Sequence, residues 1–274
     1  MRDFFYTDDF MWDVLQVRAL PKRLCQFTTI DSLQKILSTR TMRFSRLDRV
    51  NDPEEATAED LPQAASSVFV SCWTGPDIEP IPMWSMYGDQ MCGVRLSLPT
   101  NMFQGRDKPG VFEQGGAIST IEGWFTIERP FPAASAQGRM VIGPNKVFYS
   151  DDPAYRRPRM IQRRGGRAHV FPYDLGMVKG TEWAYEEEWR FKIALLTSAI
   201  DYPDDDYFNN VTLDLNAYPV TTEALFLSLD PSALDELEVT LGPKADQAAF
   251  DRVTEILADT APNATLSRSR LNVR

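Results

Sequence analysis

The segment EEWRFKIALL, residues 187–196, constrains the fold more than any other part of the chain. Side chains of a β-strand point alternately to opposite faces, so apolar residues with a period of two mark one face of a strand. The alternation extends back through the preceding residues, is broken only by Glu187, and has as its apolar members Trp183, Tyr185, Trp189, Phe191 and Ile193. This aromatic density predicts a deeply packed strand rather than an edge strand.

Other segments with strand-like composition alternate with a few helical ones. Strands are predicted over residues 24–30, 41–47, 66–74, 92–99, 145–150, 223–229, 236–242 and 265–273. Helices with one apolar face are predicted over 31–38 and 245–259, and the two prolines of 79–83 indicate a loop. Because strands outnumber the helices between them, we expect an α+β fold rather than a doubly wound sheet.

No internal repeat or low-complexity linker divides the 274 residues. We therefore expect a single domain over residues 1–274, with an irregular insertion at about 100–180. The chain has no run of about 18 apolar residues and no basic, apolar leader, so we expect a cytoplasmic protein that makes no membrane contact. Its three cysteines contain no C-x-x-C pair, which argues against a disulfide framework or a zinc knuckle.

His169 is the only histidine, and this restricts the possible chemistry. A metal site with two histidines from one chain is excluded, and a Ser-His-Asp or Cys-His site would have to use this residue. Neither a phosphate-binding G-x-x-x-x-G-K-[ST] loop nor a G-x-G-x-x-G turn after a strand is present. Any chemistry should therefore use carboxylates, hydroxyls, aromatic rings and arginines, and an all-carboxylate magnesium site stays open.

The formal net charge of −10 disfavours nucleic-acid binding, since phosphate contacts dominate that affinity. Residues 155–167, YRRPRMIQRRGGR, form the one strongly basic segment and contain no acidic residue. The segment is either a solvated flexible loop or a contact surface for phosphate or a nucleic acid. In the second case, the candidate contacts to a macromolecular acceptor are Arg156, Arg157, Arg159, Arg163 and Arg164.

Three consecutive glutamates, Glu186, Glu187 and Glu188, begin the central strand. In a regular strand, Glu186 and Glu188 point the same way and lie roughly 6–7 Å apart. They form either a polar outer face or, with Glu186 at the mouth of the strand, part of the wall of a cleft. A Glu-x-Glu pair suits cleavage of a glycosidic bond, because one carboxylate stabilises the developing cation while the other activates a nucleophile.

Three stretches in this order, RFSRLDRVNDPEE (43–55), MWSMYGDQMCGVRLSL (83–98) and WAYEEEWRFKI (183–193), resemble a bacterial family known only as a domain of unknown function. SCW (71–73) and LGPKA (241–245) extend the resemblance. The family pattern is roughly N-D-P-x-E, M-W-x-x-Y-x5-G, E-x-E-W-R and L-G-P. That family is in turn similar to the ADP-ribosyltransferase superfamily, which implies a split antiparallel or mixed β-sheet with NAD⁺ in the cleft.

The resemblance also implies roles for individual residues. Glu188 would be the catalytic glutamate at the ribose 2′-hydroxyl, and Glu186 would face the acceptor. Gln26 falls where the superfamily usually has a basic residue or histidine, and Arg43 could replace that charge from the neighbouring strand. The remaining implied NAD⁺ contacts are Ser45, Ser71, which would brace the site, Trp84 or Tyr87, which would stack on nicotinamide, and Arg190, which would hold Glu188 ionised.

The resemblance thus implies an NAD⁺-dependent transferase that cleaves the nicotinamide–ribose bond and passes ADP-ribose to protein, nucleic acid or water. Water as acceptor would make the protein an NAD⁺ glycohydrolase, and the superfamily includes toxins and anti-phage effectors. A non-catalytic nucleotide- or nucleic-acid-binding module on the same fold and a metal-dependent nuclease or phosphodiesterase are the alternatives. Since near-isosteric changes at functional sites seldom unfold a protein, Glu188→Gln is expected to change stability by less than about 1 kcal/mol.

Overall fold

The structure is a computed structural model that describes residues 9–76, 79–104, 125–126, 136–137, 141–164, 167–170, 174–197 and 220–273. At 125–126, 136–137, 162–164, 167–170 and 196–197 only the backbone is described. Within these ranges the fold is a mixed α+β structure with an open mixed sheet and several helices. No helix found there is long and apolar enough to cross a membrane.

The chain forms many short strands joined by short helices. The strands are β1 (Arg23–Thr28), β2 (Thr41–Arg46), β3 (Val68–Thr74), β4 (Val94–Pro99), β5 (Phe125–Thr126), β6 (Ala136–Gln137), β7 (Val141–Lys146), β8 (Phe148–Tyr149), β9 (Ile161–Arg164), β10 (Arg167–Val170), β11 (Val178–Lys179), β12 (Glu188–Ala194), β13 (Leu196–Thr197), β14 (Ala224–Ser228), β15 (Glu238–Leu241) and β16 (Thr265–Arg268). The α-helices are α1 (Ile30–Thr39), α2 (Ile81–Met86), α3 (Pro153–Arg156), α4 (Pro231–Asp235) and α5 (Gln247–Thr260). Single turns of 3₁₀-helix cover Leu47–Arg49, Pro53–Ala56, Pro62–Ser67 and Thr181–Glu186, and a π-helical turn covers Phe10–Val14.

The main sheet has the strand order β16-β15-β4-β1-β3-β2-β14-β5, with β12 and β7 attached beside β3. The β12 strand pairs with β3 along its whole length, from Glu188 opposite Thr74 to Ala194 opposite Val68. Two strands share the other edge of β3. Strand β1 pairs with it only at Thr74, whereas β2 pairs with it at Phe69 and Val70. The sheet is therefore split along β3, with β1 and β2 diverging from its two ends.

The two faces of the sheet differ in what covers them. One face carries the main hydrophobic core, in which Phe69, Trp73 and Phe191 are buried together with apolar residues of α1 and α5. The opposite face packs on a smaller apolar cluster that includes Val70 and residues of the 3₁₀ turns. Since side chains alternate along β12, this second face also receives its charged residues Glu188, Arg190 and Lys192, which are all buried.

The strongly periodic elements were predicted well, and one local prediction was wrong. Residues 79–83 are not simply a loop, since α2 begins at Ile81, where prolines occupy helix-start positions that need no backbone donor. The strand predicted over 187–196 begins at Glu188, and the apolar alternation that precedes it lies in a 3₁₀ turn. The strand predicted over 145–150 is divided into β7 and β8, and that over 265–273 is confirmed as far as Arg268.

Candidate functional site

A turn at Glu187 explains why three glutamates stand together. The 3₁₀ turn ends at Glu186, Glu187 adopts a left-handed conformation (φ 44°, ψ 46°), and β12 begins at Glu188. This reversal leaves Glu187 exposed while Glu186 and Glu188 are only 3% and 4% exposed. The polar outer face considered from the sequence is therefore wrong, because both outer glutamates of the triplet point into the protein.

A cavity of about 300 Å³ lies at the split of the sheet. Strands β1, β2 and β3 contribute to its wall, together with the 3₁₀ turns, α2 and the start of β12. The lining residues are Cys25, Gln26, Phe27, Thr28, Ser45, Arg49, Val50, Asn51, Glu55, Cys72, Trp73, Met83, Tyr87, Lys179, Glu186, Glu188 and Arg190. At the split, Gln26 of β1 reaches β3 through its side chain, since Gln26 Nε2 donates to the Cys72 carbonyl at 2.9 Å.

Lys179 connects the two buried glutamates. Its Nζ lies 2.6 Å from Glu186 Oε2 and 3.3 Å from Glu188 Oε2, and it stands 4.7 Å from the ring centroid of Trp183. Lys179 comes from β11 and is 4% exposed. Burial opposes its charge, but Glu188 and the other carboxylates outweigh that cost and raise the pKa of the ammonium group above its usual range.

Tyr87 links the glutamates to the NDPEE segment. Its hydroxyl donates to Glu186 Oε1 at 2.7 Å and accepts from Asn51 Nδ2 at 3.0 Å. Asn51 is also part of the cavity wall, whereas Asp52 caps the following 3₁₀ turn by accepting from Glu54 N at 2.9 Å. Burial, and then the bond to Glu186, raise the pKa of Tyr87 well above its usual range, so its phenol is a stable hydrogen-bond donor.

Arg190 is fully buried between two carboxylates. Its Nε and Nη2 donate to Glu188 at 2.6 and 2.9 Å, while Nη1 donates to Glu55 and to the Gly176 carbonyl. The expected pairing of Arg190 with Glu188 is thus present, in the bidentate form that fixes a carboxylate most firmly. Glu55 binds through Oε2, and its Oε1 has no hydrogen-bond partner within the part of the chain that the structure describes.

Burial raises the pKa of both glutamates of the pair, but their different charged neighbours shift the two pKa values in opposite directions. For Glu188 burial favours the neutral form, but Arg190 and Lys179 outweigh it and hold the pKa at about 2. For Glu186 burial and the charge of Glu188 raise the pKa above its usual value, against the opposing effects of Lys179 and Tyr87. Two carboxyl groups with diverging pKa values in one cavity are the arrangement that separates an ionised stabiliser from a base.

Three of the predicted contacts lie elsewhere. Ser71 is on the core face of β3, where its Oγ accepts from Trp73 Nε1, so it cannot brace Glu188, and Cys72 occupies the corresponding position on the cavity side. Trp84 is fully buried, packs edge-on against Phe27 at 4.8 Å and does not line the cavity. Arg43 is exposed on β2 and lies outside the cavity wall. The exposed guanidinium in the cavity wall belongs to Arg49.

The basic segment is partly neutralised within the protein. Arg156 lies 2.7 Å from Glu54, and Arg159 lies 2.6 Å from Glu59. Arg157 is exposed, and the side chains of Arg163 and Arg164 are outside the described residues. The backbone forms α3 and the β9–β10 hairpin, which is more regular than the flexible loop considered from the sequence.

Reasoning from the sequence missed four residues of the cavity wall, Lys179, Glu55, Cys72 and Arg49. Glu55 had a signal, because it is the final residue of the N-D-P-x-E pattern. Lys179 had no such signal, since it lies in the stretch of low periodicity before the 3₁₀ turn.

Burial, and then the charge of Glu188, raise the pKa of Cys72 far above its usual value, so it stays a neutral thiol.

Two glycines, Gly93 and Gly242, hold the loop after α2 against the sheet. A Cβ on Gly93 would lie 2.3 Å from the Thr28 carbonyl oxygen, and one on Gly242 would lie 2.2 Å from that of Met91. The Gly242 amide also donates to the Gly93 carbonyl at 2.8 Å. The glycines of M-W-x-x-Y-x5-G and L-G-P are therefore required by close backbone approach.

Among the described residues, no group of three or more His, Cys, Asp or Glu side chains is arranged to hold a metal ion. No curated protein and no solved structure gives a significant match to the chain. A family match does exist and covers Tyr87, Lys179, both buried glutamates and Arg190. Residues 83–191 match the family described as Protein of unknown function (DUF2971), so the expected relationship to a family of unknown function is confirmed over that part of the chain.

Proposed function

We propose that the protein is an NAD⁺-dependent, ADP-ribosyltransferase-like enzyme that cleaves the nicotinamide–ribose bond. One observation carries the proposal: Glu186 and Glu188 line the same cavity, share the Lys179 ammonium and have pKa values shifted in opposite directions. An ionised carboxylate beside one that readily accepts a proton is the pair that this reaction needs.

Glu188 would stabilise the reacting ribose. A carboxylate has about four acceptor positions, and the contacts of Glu188 with Arg190 and Lys179 occupy three of them. The Cys72 thiol also hydrogen-bonds to this carboxylate, and a ribose hydroxyl would take the place of that weak donor. Because the pKa of Glu188 is about 2, its negative charge is present throughout the neutral range and opposes the positive charge that develops on the sugar.

In the proposed reaction, the bond between ribose C1′ and the pyridine nitrogen breaks, and nicotinamide leaves as a neutral molecule with the electron pair. The ribose then carries the positive charge, shared between C1′ and the ring oxygen. A lone pair of the acceptor forms the new bond to C1′, and the acceptor proton passes to Glu186. The raised pKa of Glu186 suits it to receive that proton.

The charged groups of the cavity wall balance in number. Three carboxyl groups, Glu55, Glu186 and Glu188, stand against three basic groups, Arg49, Lys179 and Arg190. The pyridinium of NAD⁺ would lie near the buried carboxyl groups, which attract its positive charge.

The dimensions of the cavity limit how much of the dinucleotide it can enclose. At about 300 Å³ it is at the lower end of the range for small-molecule pockets, which suits the nicotinamide ribose half. Tyr87 and Gln26 would then contact the enclosed half, and the exposed Arg49 would meet the pyrophosphate. This assignment replaces Arg43, which lies outside the cavity wall.

A second candidate is a non-catalytic NAD⁺- or nucleotide-binding module. It is favoured by the ion pairing of the site, since both glutamates already contact cations of the protein without any ligand. If the enzyme is active, the acceptor is a protein, a nucleic acid or water. Among the described side chains of the basic segment, the exposed Arg157 is able to contact it, whereas Arg159, also exposed, pairs with Glu59. A role as toxin or anti-phage effector would follow from such an activity.

The glutamate triplet provides a matched test. Purified protein is incubated with NAD⁺, and nicotinamide release is followed for wild type and for Glu186→Gln, Glu187→Gln and Glu188→Gln, each first shown to be folded. Glu188→Gln is expected to lower the rate by about 10²–10³-fold, as the loss of transition-state charge stabilisation does elsewhere, while the exposed Glu187→Gln control is unchanged.

The outcomes separate the candidates. Equal release by wild type and Glu188→Gln would refute the assigned mechanism. Binding of NAD⁺ without release would support the non-catalytic module. Metal-dependent cleavage of a nucleic acid that is indifferent to NAD⁺ would support the nuclease considered from the sequence.

A further inference from the structure

Glu55 is a third carboxyl group in the cavity wall, and no role has yet been assigned to it. It comes from the 3₁₀ turn that Asp52 caps, and its side chain is 0% exposed. One oxygen, Oε2, accepts from Arg190 Nη1. The turn and the guanidinium therefore fix the carboxyl group in position.

The other oxygen of Glu55 is unsatisfied. Its Oε1 is buried and has no hydrogen-bond partner among the described residues, although Glu55 lines the cavity. An unpaired buried carboxyl oxygen costs free energy, so its presence in a cavity wall requires an explanation. A ligand group that completes the missing hydrogen bond would remove that cost.

A hydroxyl group suits this position better than an amide or an ammonium group. Burial raises the pKa of Glu55 even though Arg190 lies against it, so its carboxyl group takes up a proton more readily than a free glutamate does. A hydroxyl both donates and accepts, and it can therefore pair with Oε1 in either protonation state. An ammonium group can only donate and fits the ionised state alone.

The position of Glu55 relative to Glu188 indicates which hydroxyl. The two carboxylates bind opposite ends of one guanidinium, with Glu188 at Nε and Nη2 and Glu55 at Nη1. Arg190 thus holds two hydroxyl-accepting groups in the wall of one cavity, one at each end of its guanidinium. A ribose offers one hydroxyl to each of these groups.

We infer that Glu55 is a ligand-binding residue whose Oε1 pairs with the 3′-hydroxyl of the ribose whose 2′-hydroxyl meets Glu188. The inference rests on the proposed function for the identity of that sugar. It assigns to the cavity a preference for an intact ribose diol, which the pair of glutamates alone would not impose.

Ligand binding tests the inference separately from turnover. The first probe is ADP-ribose, which contains the same ribose but no bond to nicotinamide. The second probe is an ADP-ribose analogue that lacks only the 3-hydroxyl of the terminal ribose. Isothermal titration calorimetry measures the affinity of both probes for wild type and for Glu55→Met. Glu54→Met, a change at an exposed neighbouring residue, is the matched control. Since a hydrogen bond to a charged group contributes about 1.5–3 kcal/mol, wild type should prefer ADP-ribose by about tenfold or more.

The preference should disappear in Glu55→Met and persist in Glu54→Met. If Glu55→Met does not fold, Glu55→Gln replaces it and should reduce the preference to a few-fold, because its amide pairs without a full charge. Equal binding of the two probes by wild type, an unchanged preference in the Glu55 variant, or no binding of ADP-ribose would overturn the inference. NAD⁺ cleavage without the preference refutes the inference alone, while the preference without cleavage refutes only the proposed activity.

Discussion

The variant Glu188→Gln should cost much more stability than a near-isosteric surface change. Glu188 is buried against Arg190 and Lys179, and its pKa is about 2 compared with 4.5 for the free side chain. One pKa unit corresponds to about 1.4 kcal/mol, so the shift represents roughly 3 kcal/mol of stabilisation by the ionised group. Removing one partner of a buried ion pair typically costs about 3–5 kcal/mol, which agrees with this value.

The pH dependence gives the prediction its sign. The folded-state pKa of Glu188 lies below the unfolded one, so its contribution is complete above pH 4.5 and is lost as the pH falls towards 2. The free energy of unfolding of Glu188→Gln should therefore lie about 3 kcal/mol below wild type at pH 7 and only about 1 kcal/mol below it at pH 3.

Urea unfolding followed by tryptophan fluorescence measures both values, because Trp73 and Trp189 are buried near the site. Glu187→Gln is the matched control and should stay within about 0.5 kcal/mol of wild type, as exposed substitutions usually do. A loss below about 1 kcal/mol at pH 7, which is the expectation from sequence alone, would refute the ion-pair argument. A loss of the same size at both pH values would refute its electrostatic origin.

Three further predictions test separate parts of the site. Lys179→Met should move the pH–rate profile of nicotinamide release by about 1–2 units to higher pH, because it removes a charge-assisted hydrogen bond from each glutamate. Lys179→Arg keeps the charge and should move the profile less. An unmoved profile would contradict the bridging role of Lys179. Gly93→Ala should destabilise the protein by about 2–3 kcal/mol because its Cβ would collide with backbone, while Gly75→Ala, with nothing within 4 Å, should be neutral in thermal unfolding. Arg49→Gln should weaken ADP-ribose binding and flatten its salt dependence, and equal effects of Arg43→Gln would argue against the choice of Arg49.

The strongly periodic elements could be predicted because all side chains on one face of such an element have the same surroundings. The core strand β12 and the helix α5, with Val253, Ile256 and Leu257 buried, follow their patterns. The 3₁₀ turn before Glu188 could not be predicted, because its apolar residues mimic a period of two. The role that the resemblance implied for Ser71 does not match its place on the core face of β3, because one residue along a strand reverses the direction of the side chain.

The pair at the centre of the site was predicted, but not the geometry that brings it together. Glu186 and Glu188 were expected to lie side by side along a strand, whereas a left-handed residue and a shared lysine place them in one cavity. Lys179 lies close to the glutamates only through the pairing of β11 with β8. Contacts of this kind depend on tertiary structure, and local periodicity carries no signal for them.

The divergence of β1 and β2 from the shared edge of β3 opens a cavity inside a continuous sheet. The sheet residues of its wall are held by strand pairing, whereas the other wall residues come from the NDPEE turn, α2 and nearby turns. Exchange of residues in the NDPEE turn and α2 therefore alters the ligand-contacting groups while the paired strands stay in place. A chimaera that exchanges only this turn and α2 should then change ligand preference without losing the ability to fold.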